Sequence, residues 1–242
     1  MPAPDPKAMD FSNQTVIVTG AAGNLGRAVA SAFADGDANV VLVDRHRERL
    51  AERYGPETAR TLYVAADLAR PADTAGVAQR ARERFGRIDV LCNIAGTFRM
   101  GAPVHATPDA TWDLLFDANV RSLRNMVGAV VPVMLDGGGG RIVNVGAWSA
   151  RSGVANMGAY TAAKTVVLRL TEAMAAELRD RNINVNCVLP STLDTPENRA
   201  AMPDADSSRF VATADLAQVI VFLASPAARA IHGAALPVTG RA

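Results

Sequence analysis

The chain has 242 residues, 49% hydrophobic and 20% charged, with a formal net charge of +1 at pH 7, which suits one large α/β domain with a full core. Balanced charge gives no electrostatic basis for a nucleic-acid or membrane-surface partner, and no apolar run reaches the ~20 residues of a bilayer span. The residues before position 13 are rich in Pro, Ala and Asp and lack the apolar core of a signal peptide, so 1–12 are expected to form a flexible terminus before a single domain, 13–242.

The run 15–19 is short and β-branched, as in a buried strand. It enters a Gly-rich turn carrying Gly20, Gly23, Asn24, Leu25 and Gly26, and a helical stretch follows over 27–34. The next apolar run, 40–43, ends at Asp44, with Arg45 beside it. Strand, Gly-rich turn, helix, strand and acid form a dinucleotide-binding pattern. The glycines let the backbone approach a pyrophosphate at a helix N-terminus. Asp44 can accept hydrogen bonds from the adenosine ribose, which favours NAD(H) over NADP(H).

Further strands are predicted at 62–66, 88–92, 141–145, 183–189 and 234–238. Helices are predicted at 71–85, 111–135, 159–179 and 216–224. The third strand runs into Asp67 and Leu68; the fourth is closed by Asn93, Ala95 and Gly96. Alternating strands and helices imply a doubly wound parallel sheet of about seven strands, Rossmann-type, with helices on both faces. Cys92 and Cys187 fall in apolar runs, which suggests buried thiols in a reducing cytoplasmic setting rather than a disulfide framework.

Tyr160 and Lys164 stand four residues apart on the helix predicted at 159–179, and so on one face of it. Lys7 and Lys164 are the chain's two lysines and it has three tyrosines, so such a pair arises by chance in about 2% of arrangements. A lysine cation near a phenol favours the phenolate. A fall of about 3 units would make Tyr160 a general acid/base near pH 7. The competing reading is a core Tyr beside a surface Lys. His46, His105 and His232 are scattered without metal-like spacing, so no metal is expected. Arg99 is a candidate anion holder; Trp148, Met157, Leu193 and Phe210 are candidate pocket walls, and the polar stretch 196–211 a candidate lid.

Taken in order, Thr19-Gly20-x-x-Gly23-x-x-Gly26, Asp67-Leu68, Asn93-x-Ala95-Gly96, Asn119, Tyr160-x-x-x-Lys164 and Pro190-x-x-x-x-Thr195 resemble the short-chain dehydrogenase/reductase family over nearly the whole chain. The resemblance implies an NAD(P)(H)-dependent oxidoreductase acting on a small-molecule substrate, and a homodimer or homotetramer. It implies Tyr160 as proton donor or acceptor, Lys164 on the nicotinamide ribose, and Asn119 holding a relay water. Asp67 and Leu68 would meet the adenine, Asn93 to Gly96 the adenosine ribose side, and Pro190, Thr192 and Thr195 the carboxamide or phosphate side. Three departures stand out, the least of them Thr239, where the family often has an aspartate before the terminal Gly. Asn24 replaces a usual glycine, and Ala147 stands where the family carries a serine 13 residues before the tyrosine. Ser149 is the candidate substitute, because in extended backbone it would share a face with position 147. The stretch 189–206 also resembles the matching part of quinonoid dihydropteridine reductase, which likewise has Ala at the serine position. That adds a quinonoid or C=N acceptor, or a catalytically weak nucleotide-binding protein, as alternatives.

Overall fold

The computed structural model describes residues 9–241. In chain order the elements are β1 (Thr15–Thr19), α1 (Asn24–Asp35), β2 (Asn39–Asp44), α2 (Arg47–Tyr54), β3 (Thr61–Ala65), α3 (Pro71–Phe85) and β4 (Val90–Asn93). Then come α4 (Asp109–Phe116), α5 (Ser122–Asp136), β5 (Gly140–Val145), α6 (Gly158–Leu178) and β6 (Ile183–Pro190). The chain ends with β7 (Leu193–Asp194), α7 (Pro196–Ala201), β8 (Val211–Ala212), α8 (Thr213–Ala224) and β9 (Ala235–Val238).

Seven strands form one sheet in the order β3-β2-β1-β4-β5-β6-β9, and every neighbouring pair is parallel. Parallel pairing requires helical crossovers, and these cover both faces, which is why β1 and β6 are buried along their whole length. Side chains alternate between the faces. Val16, Val18, Val40 and Leu42 pack with Val29 and Phe33 of α1 and Leu216 and Ile220 of α8. Ile17, Val41 and Val43 pack on the other face with Val77 of α3, Met126 of α5 and Val167 of α6. Strand order reverses between β1 and β4, so a crevice opens at the carboxyl ends of these strands, where open α/β sheets bind ligands.

The fold is the single-domain arrangement expected, with three corrections of detail. The helix α2 was not foreseen, because eight residues with Leu50 alone buried carry almost no apolar period. The terminus expected to be flexible over 1–12 is held at its end. Phe11 is fully buried, edge-on to Phe33 at 4.8 Å, and its N–H donates to Gly36 O; residues 1–8 lie outside the described residues. The long helix predicted at 111–135 is α4 and α5 joined by one π turn, Asp117–Arg121, which carries Asn119.

Candidate active site

The turn after β1 depends on glycine at two places. Gly20 has φ +63°, and a Cβ there would sit 2.9 Å from Ala95 Cα. A Cβ on Gly26 would collide with the Gly20 carbonyl. The first turn of α1 has no side-chain cap and no acidic residue. Its N–H groups and positive end can therefore receive a phosphate. Asp44, at the end of β2, accepts from Ala22 N at 3.2 Å and Arg45 N at 2.9 Å, and lies 3.6 Å from Arg49. Its carboxylate is thus fixed against the Gly-rich turn. Arg45 turns to Asp67 at 3.5 Å. A cradle of this kind fits a dinucleotide.

The loop after β4 is tied to that turn. Thr19 Oγ1 donates to Cys92 O and accepts from Ile94 N and Ala95 N, both at 3.0 Å. The Asn93 side chain donates to Asn144 Oδ1 at 2.9 Å, and Asn144 donates to Thr171 Oγ1 at 2.9 Å. The Asn93 amide is therefore used inside the protein, joining β4, β5 and α6. Leu68 O accepts from Asn125 Nδ2, and Asp67 Oδ1 accepts from Ala69 N.

Gly96 forms the floor between two predicted site residues. A Cβ there would sit 2.6 Å from Asn119 Oδ1 and 3.4 Å from Lys164 Nζ. Asn119 is buried; its Nδ2 donates to Thr97 O and Leu115 O, and its Oδ1 accepts from Thr97 N. Capture of the Leu115 carbonyl by a side chain accompanies the π turn, a widening frequent at functional sites. Lys164 is also buried, and its ammonium donates to Val145 O at 2.8 Å. An ammonium has three donors; no second acceptor and no carboxylate partner is found for it among the described residues. Burial draws its pKa down to about 8, and the neighbouring Cys187 acts weakly in the other direction.

Tyr160 stands one helical turn before Lys164 on α6. Its ring meets Phe98 edge-on at 4.9 Å, and its hydroxyl has no hydrogen-bond partner among the described residues. Burial pushes the phenol up to about 12. The expectation of a phenol already drawn down by Lys164 is therefore corrected: here desolvation dominates both groups. Phe98 itself escaped the sequence reading, which weighed its neighbour Arg99; the signal was its place just after Asn93-x-Ala95-Gly96.

Ala147 is buried and extended, with φ −158° and ψ 150°. The extended backbone stops there. Ser149 lies in a 3₁₀ turn, Trp148–Arg151, so the same-face argument that made it a substitute for position 147 does not hold. Its hydroxyl is half-buried and without a partner among the described residues. Pro190 ends β6, the Thr192 carbonyl accepts from Val211 N, and Thr195 caps α7 by accepting from Asn198 N. Asn24 donates to Glu197 Oε2 at 2.7 Å, a link across 173 residues between the Gly-rich turn and α7. Glu197 was not foreseen, since nothing in the sequence joins it to position 24. Among the described residues no cluster of His, Cys, Asp and Glu is suited to a metal, and no helix is long and apolar enough to cross a membrane.

The profile of the short chain dehydrogenase family matches residues 14–206. The chain belongs to this family. It is 34% identical to D-threitol dehydrogenase of Mycolicibacterium smegmatis over 95% of this chain and 93% of that protein. The crystal structure of 3-ketoacyl-(acyl-carrier-protein) reductase from Brucella melitensis, complexed with NADH, superposes with TM-score 0.87 at 30% identity, over 96% of this chain and 99% of that one. Gluconate 5-dehydrogenase from Burkholderia cenocepacia, in complex with NADP and tartrate, superposes with TM-score 0.88 at 28% identity, over 97% of both chains. Family membership makes this short-chain dehydrogenase an oxidoreductase with a nucleotide-binding Rossmann fold.

Proposed function

We propose that this chain is an NAD(H)-dependent oxidoreductase in which Tyr160 moves the proton of the reaction. The observation that carries the reading is Lys164: a buried ammonium with one protein acceptor, beside Tyr160 and Asn119 and over Gly96. A buried cation left so incompletely bonded is unfavourable unless a ligand completes it. A ribose diol offers the missing acceptors. Asp44, fixed at the end of β2, would take the adenosine ribose hydroxyls, and the N-terminus of α1 the pyrophosphate. Asp67, Leu68, Ala95, Gly96, Pro190, Thr192 and Thr195 complete the proposed contacts, with Asn93 acting through its backbone.

The bound nicotinamide supplies or accepts hydride. The protein's part is to place the substrate oxygen at the Tyr160 hydroxyl and to make that proton mobile. A phenol near 12 holds its proton too firmly for rapid exchange at neutral pH. Lys164, oriented by Val145 O, is the group able to lower it once the ammonium is fully bonded and charged. The buried Asn119 holds the loop at Thr97 and, as a proposal, the relay water. The substrate is a small carbonyl compound or alcohol.

A second reading is favoured by one observation. Ala147 offers no donor to a ketone oxygen, whereas a quinonoid or C=N acceptor is already electron-poor. A third, a nucleotide-binding protein without catalysis, would leave Tyr160, one turn from Lys164, without a use. The proposed assembly is a homodimer or homotetramer. The test is NADH consumption over ketones, quinones and quinonoid dihydropterin, with Tyr160→Phe. That variant should bind NADH and lose about 10²–10⁴ in turnover; near-full turnover without the hydroxyl refutes the role.

A further inference from the structure

Residues 97–108 after β4 reach Tyr160 through Phe98, and residues 146–157 after β5 run into the start of the helix that carries Tyr160; these two loops are the candidate substrate walls. They are joined, since Gly101 N donates to Asn156 O at 2.9 Å and Val104 packs on Gly158, at the start of α6. Eight large apolar side chains are exposed among the described residues, and five lie on these two loops: Phe98, Met100, Val104, Trp148 and Val154. Scattered exposed apolar residues need no explanation, but a cluster beside a reactive group marks a binding surface. Phe98 connects it directly to the Tyr160 ring, and Ala147 adds an apolar position next to Trp148.

The same walls carry one sign of charge. Residues 97–108 and 146–157 contain Arg99, His105 and Arg151 and no Asp or Glu, where the chain's average composition would place about two acids. The Arg151 guanidinium lies 4.4 Å over the Trp148 ring. Arg99 reaches the carbonyl of Phe98, its neighbour. Neither pairs with a carboxylate among the described residues. A guanidinium stacked on an indole is preorganised, and its planar fork suits a carboxylate. A cation would be repelled by such walls.

We propose that the substrate is an apolar oxo acid, or the corresponding hydroxy acid. Its hydrocarbon body lies on Phe98 and Trp148, and its carboxylate is held by Arg151. In the reducing direction the carbonyl carbon takes hydride and the oxygen takes the proton from Tyr160, so that ketone, NADH and one proton give alcohol and NAD⁺. The inference deepens the function proposed above and rests on it for the chemistry, but not for binding.

Matched probes separate the two. Benzoylformate and 4-oxo-4-phenylbutanoate are each compared with their methyl esters. At least one acid should exceed its ester in kcat/KM by about tenfold or more, the worth of one charge-assisted contact, and mostly through KM. Arg151→Gln should bring the acid-to-ester ratio near one, and Arg151→Lys should restore part of it. Independently of turnover, the acid should quench Trp148 fluorescence, an effect absent in Trp148→Phe and weakened in Arg151→Gln. Equal turnover of acid and ester, with no Arg151-dependent quenching, overturns the anion site while leaving the oxidoreductase reading intact. Arg151-dependent quenching without any turnover supports the site and counts against that reading.

Discussion

Lys164→Met should make the coenzyme-free protein more stable at neutral pH while removing its activity. Burial draws the Lys164 pKa from an ordinary 10.5 down to about 8. Below pH 8 the group is charged both folded and unfolded, and folding carries the full desolvation penalty, about 3 kcal/mol at 1.36 kcal/mol per unit. As pH rises from 8 to 10.5 the folded protein releases the proton first, and the penalty is relieved. Methionine removes the penalty at all pH values but loses the bond to Val145 O, worth roughly 1 kcal/mol. The net gain at pH 7 is about 2 kcal/mol, or roughly 4–8 °C in Tm for a chain of this size. Toward pH 10 the gain should vanish and then reverse. Thermal unfolding of both proteins at pH 7 and pH 10, without coenzyme, measures it. A variant less stable than wild type at pH 7, or a difference that does not change with pH, would refute the argument. A binding residue retained against the protein's own stability is expected of a functional site.

Asp44→Ala should raise the NADPH-to-NADH ratio of kcat/KM. It removes a charge that would repel a 2′-phosphate by roughly 4 kcal/mol at 4 Å and an effective dielectric near 20, and it frees Arg49; an unchanged ratio refutes the assignment. Ala147→Ser should raise simple-ketone reduction relative to quinonoid reduction, up to the roughly 10²–10³ of one oxyanion donor. Equal effects on both acceptors would show that the missing hydroxyl does not select between them. Asn24→Ala and Glu197→Ala should each speed NADH release several-fold in stopped-flow fluorescence, and the double variant no further, because they share one bond. Additive effects would mean that the two residues act separately.

The sheet, its crossovers and the Gly-rich turn were legible because each rests on local pattern: continuous apolar runs for buried parallel strands, glycine where only a Cβ-less residue fits. The Tyr160–Lys164 spacing was legible for the same reason, since one helical turn fixes the face. What the sequence hid depends on contacts between distant segments. Phe11 looks like part of a polar tail until Phe33 and Gly36 meet it. Helix α2 shows little beyond charge, since Leu50 is its one buried residue. Ser149 looked suitable only if the strand continued, and the backbone turns there instead. The pKa of Tyr160 follows from burial, which spacing does not reveal.

The site divides into a fixed part and a variable part, and the division has a physical cause. Thr19 ties β1 to residues 94 and 95; Asn93, Asn144 and Thr171 link β4, β5 and α6; Gly96 brings Asn119 and Lys164 to one floor. These groups are buried and hydrogen-bonded, so a change in any of them leaves polar atoms unpaired at about 1–3 kcal/mol each. Beyond Thr97, which Asn119 holds, the walls at 97–108 and 146–157 have no such buried chain. Most of their large apolar side chains are exposed, and their arginines have no carboxylate partner among the described residues. Substitution there should alter KM among substrates while leaving NADH affinity and stability nearly constant, whereas substitution in the floor should move all three together. A Phe98→Leu variant that lost NADH affinity as strongly as Gly96→Ala would contradict this division, because the two residues are neighbours in sequence but belong to different parts of the site.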